Sequence, residues 1–203
     1  MIGIIDYGMG NLKSICNALE SINEEYLISA YKYDLRKCSG LILPGVGSFK
    51  EGMFNLRKDG LYSVVKEVAE TGKPLLGICL GMQLLFEKGY EGEETKGIGL
   101  LKGKVIKMDE EKFRVPNIGW NSLNINKDDD LVKGLKEESY MYYVHSYYAD
   151  EYNEEDLVAS SDYYGLNIPG IVRRDNIIGV QFHPEKSGEE GIKFLKNFCK
   201  ICK

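Results

Sequence analysis

Apolar positions in the first half of the chain follow two alternating spacings. Residues 1–5, 40–43 and 73–78 are short continuous apolar runs typical of buried strands, whereas residues 12–22 and 54–69 repeat apolar side chains at helical intervals. Strands that alternate with helices indicate a parallel sheet with helices on both faces. The first half therefore predicts an α/β architecture.

The second half follows a different pattern. Residues 97–181 are richer in short strand-like runs separated by Asn, Asp and Gly turns. Residues 191–202 predict a closing helix with Leu195 and Phe198 on one side. The 203 residues contain no linker, repeat or low-complexity segment, so we expect a single domain, 1–203. Its sheet should be open and mostly parallel, with a strand-rich second half.

The segment around Cys79 carries the strongest chemical signal. An apolar run leads into Gly77-Ile78-Cys79-Leu80-Gly81, and a helix-spaced run follows. This is the strand–turn–helix context of a nucleophile elbow, with cysteine in the place of serine. Glycine on either side suits the tight turn, and the helix N-terminus favours a thiolate and an oxyanion. The alternative is a buried cysteine that merely follows a core strand.

His183 is the candidate base for that cysteine. It follows the apolar run 177–182 and precedes Pro184 and Glu185. If the extended backbone continues through Pro184, His183 and Glu185 point to the same side, because strands have a period of two. A carboxylate beside an imidazole orients it and stabilises its charged form, as in a Cys-His-acid triad. The alternative is a solvated turn at the end of an edge strand.

The other histidine, His145, lies in an aromatic and β-branched stretch, residues 141–148, that predicts a strand. No carboxylate stands two residues away from it. We expect a hydrogen-bonded structural role within a packed sheet, and a supporting role beside the active site is the alternative.

Composition narrows the remaining classes of function. The net charge of −5 gives no support to nucleic-acid binding. With no apolar span of about 18 residues and no basic leader, we expect no membrane segment and no signal peptide. Five cysteines, an odd number, suit a reducing cytoplasm, where we expect the protein to reside. The pair Cys199 and Cys202 predicts a helix end and not a zinc site, so no metal is expected. The sequence has no Walker-type phosphate loop, and no cofactor is expected.

Several motifs together resemble a known family. The elbow cysteine followed by a C-terminal His-x-Glu is similar to the class I (triad) glutamine amidotransferases. More specific motifs are Asp6-Tyr7-Gly8-Met9-Gly10-Asn11, Pro44-Gly45-Val46-Gly47, Gly119-Trp120-Asn121 and Val144-His145-Ser146-Tyr147. Together they resemble the HisH family, the glutaminase subunits of imidazole glycerol phosphate synthase. One departure is Pro116-Asn117, where that family usually has Pro-His.

The resemblance implies a flavodoxin-like fold and a glutaminase reaction. Cys79 would attack the side-chain amide of L-glutamine, while His183, oriented by Glu185, would protonate the departing ammonia and later activate water. Backbone N–H groups of Leu80 and of Val46-Gly47 would hold the oxyanion. The residues implied to contact glutamine are Gly47, Gln83, Ser146 and Tyr147.

The resemblance also implies a protein partner. Free ammonia is largely protonated in neutral water, and the protonated form is not a nucleophile. We therefore expect a docked protein that accepts the ammonia. In the family this protein is a (β/α)8-barrel cyclase of the HisF type. Trp120 is the candidate interface residue, with core packing as the alternative, and Lys186 would pair with an acidic residue of the partner.

Gln83 lies one helical turn after Cys79, with an exposed helix position as its alternative.

Three other functions remain open from the sequence. One is a related glutaminase that serves a different synthase, and another is a paralogue that supplies ammonia to a barrel protein for sugar amination. The third is a binding module of the same fold with an idle triad.

Overall fold

The computed structural model describes all of residues 1–203. The first half contains β1 (Ile2–Ile5), α1 (Leu12–Ser21), β2 (Tyr26–Ser29), α2 (Lys32–Lys37), β3 (Gly40–Leu43), α3 (Phe49–Lys58), α4 (Leu61–Glu70), β4 (Leu75–Ile78) and α5 (Leu80–Leu84). The second half contains β5 (Phe86–Glu91), β6 (Glu93–Lys96), β7 (Leu101–Lys107), β8 (Asn117–Ile125), β9 (Ser139–His145), β10 (Tyr147–Asp150), β11 (Leu157–Tyr163), β12 (Leu166–Arg174), β13 (Ile177–Val180) and α6 (Gly188–Ile201).

The strands form two sheets. The larger one has the order β2-β1-β3-β4-β13-β12-β11-β8-β9. Its first five strands are parallel, in the order found in flavodoxin-like folds. The other four join by antiparallel pairing. The smaller sheet has the order β10-β7-β5-β6. The predicted α/β fold with a strand-rich second half is confirmed.

The parallel strands are continuous apolar runs because helices cover both faces of the sheet. Every residue of β1, β3, β4 and β13 is buried. Alternate side chains of these strands pack against α1 and α6 on one face and against α3 and α4 on the other. No helix is long and apolar enough to span a membrane.

One predicted helix is in fact two. The helical pattern of residues 54–69 predicts one helix, but α3 ends at Lys58 and α4 begins at Leu61. Gly60 lies between them with a φ of 68°, a left-handed conformation that glycine adopts readily. The apolar spacing continues across the break because both helices bury their apolar side chains in the same core. The short elements β2 and α2 were not predicted from the sequence.

Three neighbouring parallel strands bring their carboxyl ends to one edge of the sheet. The segment 44–47 follows β3, Cys79 follows β4, and His183 comes shortly after β13. The edge strand β9 also contacts this part of the chain. The His183 N–H donates to the carbonyl of Tyr142, a residue of β9, over 2.9 Å. Ligands of open α/β sheets bind at this edge.

Candidate active site

Cys79 occupies a sharp turn between β4 and α5. Its φ of 53° and ψ of −109° are strained for a residue with a side chain. A Cβ at Gly81 would lie 1.9 Å from the Leu43 carbonyl oxygen, and one at Gly77 would lie 2.7 Å from the backbone of Gly81. The two glycines are therefore needed by the close packing of the turn, as the elbow motif predicted.

A cavity of about 260 Å³ opens beside Cys79. Its size suits a small metabolite, since pockets for drug-sized ligands start at about 300 Å³. All the predicted catalytic, oxyanion and substrate residues line it except Glu185, which lies behind His183. The lining residues are Val46, Gly47, Cys79, Leu80, Gln83, Glu91, Val144, His145, Ser146, Tyr147 and His183.

His183 and Glu185 form a buried pair. Nδ1 of His183 lies 2.8 Å from Oε1 of Glu185, and both side chains are almost fully buried. The predicted reason for this contact was wrong. The strand β13 ends at Val180, His183 itself has extended backbone angles, and Pro184–Lys186 forms a 3₁₀ turn. The turn, rather than strand alternation, brings the carboxylate to the imidazole.

The surroundings of His183 favour its charged form. Burial alone would lower its pKa, but the neighbouring Cys79 sulfur and the Glu185 carboxylate outweigh burial and raise the pKa from 6.5 to about 10. Nε2 of His183 has no hydrogen-bond partner, whereas the Cys79 thiol donates to the Val144 carbonyl over 3.8 Å. Rotation of the S–H bond from the Val144 carbonyl towards Nε2 directs the thiol proton at His183.

His145 is buried in the cavity wall with both ring nitrogens engaged. Nδ1 lies 2.9 Å from the Tyr147 carbonyl oxygen, and Nε2 lies 3.1 Å from Nδ2 of Asn117. Because a carbonyl only accepts, Nδ1 carries the proton and Nε2 accepts from Asn117. Burial lowers the pKa of His145 to about 4; the Tyr147 carbonyl opposes this, and the charge of His183 adds to it. His145 thus has the hydrogen-bonded position expected of it and also lies beside Cys79.

Gln83 is buried, which excludes the alternative of an exposed helix position. Its Nε2 donates to the Tyr147 carbonyl over 2.9 Å and to Oε1 of Gln181 over 3.1 Å. The side-chain nitrogen is therefore committed within the protein, and Oε1 is the atom left for a ligand.

Sequence reasoning missed two residues of the site. Glu91 ends β5, lines the cavity and accepts the N–H of Phe49 over 2.7 Å. Gln181 is fully buried and places its Nε2 3.7 Å from the Cys79 sulfur. Gln181 directly follows β13 and stands two residues before His183, and this closeness in sequence could have flagged it as a neighbour of the site. Nothing in the sequence marks Glu91.

The segment after β3 has the freedom expected of an oxyanion loop. Val46 and Gly47 are exposed, and Gly47 has a φ of 112°, which favours glycine. The base of the segment is held by Tyr7, whose hydroxyl donates to the Pro44 carbonyl over 2.6 Å. Opposite it, Leu80 begins α5, so its N–H has no acceptor within the helix.

Trp120 lies on the outer surface of β8. It is 52% exposed and contacts Tyr142 edge-to-face, so core packing is excluded for it. Ile118, on the same strand, is 61% exposed. Lys186 is also exposed and forms no ion pair within the chain.

Comparison with known proteins agrees with this geometry. The family model "Glutamine amidotransferase class-I" matches residues 3–202, and the chain belongs to this family. Its curated relatives include two proteins named imidazole glycerol phosphate synthase subunit HisH. The one from Caldanaerobacter subterraneus subsp. tengcongensis is 47% identical over 100% of this chain and 99% of that protein. The one from Bacillus mycoides is 50% identical over 98% of this chain and 93% of that protein. The HisH-like resemblance predicted from the motifs is confirmed.

Solved structures agree on the fold. A structure described as a glutamine amidotransferase has a TM-score of 0.78 at 20% identity and covers 99% of this chain and 98% of that one. PurLQS from Thermotoga maritima has a TM-score of 0.75 at 23% identity and covers 100% of this chain and 98% of that one.

Proposed function

We propose that this chain is the glutaminase subunit of an imidazole glycerol phosphate synthase. It hydrolyses L-glutamine to glutamate and ammonia, and a cyclase subunit uses the ammonia in histidine biosynthesis. One observation carries the chemistry: the strained Cys79 faces the buried His183–Glu185 pair in a cavity of small-metabolite size. The full-length HisH relatives support the particular assignment.

The reaction starts with proton transfer from Cys79 to Nε2 of His183. The thiolate then attacks the side-chain carbonyl carbon of glutamine, and the negative charge moves to the carbonyl oxygen. Backbone N–H groups of Leu80 and of Val46-Gly47 stabilise that oxyanion. The imidazolium gives its proton to the amide nitrogen, the C–N bond breaks, ammonia departs and a thioester remains.

Water completes the cycle. His183 takes a proton from a water molecule that attacks the thioester, and returns it to the sulfur as glutamate is released. Glu185 keeps the proton of the imidazole on Nδ1, which leaves Nε2 free for both transfers. Because Glu185 is almost fully buried, it also stabilises the imidazolium more strongly than an exposed carboxylate would.

The cavity wall offers complementary groups for glutamine. Gln83 presents its Oε1, and the loop at Ser146 and Tyr147 presents backbone and side-chain polar groups. Glu91 places a half-buried carboxylate at the cavity and supplies the negative charge that an α-ammonium group needs. Gly47 lets the loop approach the substrate closely.

A barrel cyclase of the HisF type is the proposed partner. Exposed Trp120 and Ile118 form an apolar docking surface on β8, and the unpaired Lys186 offers a cation to an acidic partner residue. Docking at this surface protects ammonia from protonation on its way to the cyclase.

The test is glutamate release by Cys79→Ala in the presence of the cyclase and its acceptor ligand. We expect activity to vanish while the circular dichroism spectrum and partner binding persist. Cys16→Ala is the matched control, since it removes another buried thiol, in α1, and should retain activity. Measurable hydrolysis by Cys79→Ala would overturn the mechanism, and failure to bind the cyclase would overturn the assignment to this synthase.

A further inference from the structure

A buried hydrogen-bond chain ends at the sulfur of Cys79. Nε2 of Gln181 lies 3.7 Å from Sγ, and Oε1 of Gln181 accepts from Nε2 of Gln83 over 3.1 Å. Gln83 also donates to the Tyr147 carbonyl over 2.9 Å. Gln181 is fully buried and Gln83 almost so, which means that neither amide can exchange these partners for water.

The chain continues beyond Tyr147 towards β8, the neighbour of the edge strand β9. His145 donates from Nδ1 to the same Tyr147 carbonyl over 2.9 Å, and Asn117 lies 3.1 Å from Nε2 of His145. Asn117 is buried as well. The Tyr147 carbonyl oxygen therefore accepts from two donors, Nε2 of Gln83 and Nδ1 of His145.

That carbonyl fixes the direction of every bond in the chain. Because it can only accept, Gln83 must present its NH₂ group to it, and the second N–H of that group then donates to Oε1 of Gln181. Gln181 is left with its NH₂ group towards the sulfur of Cys79. On the other branch, His145 must carry its proton on Nδ1, so Asn117 must donate to Nε2. No amide in the chain can flip without losing a buried hydrogen bond.

We infer that Gln181 is a positioning residue that holds the Cys79 sulfur and stabilises its thiolate, in an orientation fixed by Gln83, His145 and Asn117. This rests on the proposed role of Cys79 as the nucleophile. Among the other polar neighbours of the sulfur, the His183 imidazole takes its proton, and the Val144 carbonyl accepts from a thiol but repels a thiolate. The N–H of Gln181 remains favourable in both states and becomes stronger when the sulfur is charged.

The titratable groups around Cys79 come from several elements, and none changes in the variants used below. His183 and Glu185 face it from the turn after β13, His145 from β9, Tyr7 from the end of β1, and Glu91 from β5. Gln181→Met adds no titratable group, so a change in the pH dependence of Cys79 reactivity in that variant is assignable to Gln181.

The test is alkylation of Cys79 by iodoacetamide in the isolated full-length chain, followed peptide by peptide with mass spectrometry from pH 5 to 10. Gln181→Met keeps the approximate shape but removes the N–H. We expect the rate at pH 7 to fall about tenfold and the midpoint of the pH profile to rise by about one unit. For glutamine hydrolysis by Gln181→Met in the presence of the cyclase partner, kcat should fall with little change in KM. Gln181→Glu, which places an anion against the sulfur, should react still more slowly.

The far end of the chain provides a second variant. Asn117→Ala should shift the alkylation profile in the same direction by a smaller amount, and should add nothing in the Gln181→Met background if the chain acts through Gln181. Asn197→Leu is the matched control. It removes another buried amide, which donates to the Leu131 and Lys133 carbonyls, and should lower stability without moving the profile.

An unchanged alkylation profile in folded Gln181→Met would overturn the inference, as would an undiminished effect of Asn117→Ala in the double variant. Should Gln181→Met fail to fold, an unchanged profile in Asn117→Ala would have the same meaning. These outcomes leave the proposed function standing. The proposed function fails instead if Cys79→Ala still hydrolyses glutamine.

Discussion

Replacing His145 with glutamine should make the protein less sensitive to acid. In the folded state, burial lowers the pKa of His145 from 6.5 to about 4. The unfolded chain therefore takes up this proton at a higher pH than the folded chain does. The stabilising contribution of neutral His145 is complete above pH 6.5 and is lost as the pH falls towards 4. At about 1.4 kcal/mol per pKa unit, the loss amounts to about 3 kcal/mol.

The assay is urea unfolding of the wild-type chain and of His145→Gln at several pH values between 7.5 and 4. The fluorescence of Trp120, the only tryptophan, reports the transition. Carboxylates also titrate in this range, but they are the same in both proteins, so the difference between the two unfolding free energies isolates His145. We expect the wild type to lose about 3 kcal/mol more than the variant over this range. Parallel pH dependences would refute the argument.

The pKa of His183 is shifted in the opposite direction to that of His145, so the two histidines should affect stability in opposite pH ranges. The folded-state value, raised to about 10, means that its stabilising contribution is present below pH 6.5 and is lost as the pH rises towards 10. His183→Gln should therefore lose part of the alkaline sensitivity of the wild type. It should keep most of the acid sensitivity, because burial lowers the pKa of His145 more than the charge of His183 does. The chain contains only these two histidines, and their pH windows do not overlap.

Three further outcomes are expected. Gly81→Ala, whose Cβ would lie 1.9 Å from the Leu43 carbonyl oxygen, should lower the free energy of unfolding by about 3 kcal/mol or prevent folding; wild-type stability in thermal melts would contradict this. His183→Ala should reduce kcat by about 10²–10⁴, and His145→Ala should reduce it less; the reverse order in steady-state kinetics would show that the base is misassigned. Trp120→Ala should weaken cyclase binding in calorimetry by at least about tenfold without changing alkylation of the isolated chain, and equal affinity would remove β8 from the interface.

Motifs confined to a short stretch of chain were predictable from the sequence. The elbow at Cys79 follows from local sterics, because the two glycines, the strand and the helix all lie within a few residues of one another. The contact between His183 and Glu185 was predicted from the wrong backbone conformation. Nothing in the segment signals that a 3₁₀ turn replaces the extended conformation. The contact is made all the same, because residues two apart can meet through either geometry.

Contacts between distant elements were beyond sequence reasoning. Gln181 reaches Cys79 only because β13 pairs with β4, and Asn117 reaches His145 only because of the register between β8 and β9. A single sequence shows neither pairing nor register. The break at Gly60 was missed for a related reason, since helical spacing reports the buried face and the face is shared by both helices.

The position of β13 has a consequence for how the molecule is made. This strand is the last of the chain, yet it lies in the middle of the larger sheet, between β4 and β12. Until it is synthesised and inserted, the apolar β4 has an open edge, and such edges promote aggregation. The insertion closes a loop of about a hundred residues between β4 and β13, and contacts so distant in sequence form slowly. His183 arrives at Cys79 in the same event, so a nascent chain carries its thiol without its base until the final stage of folding.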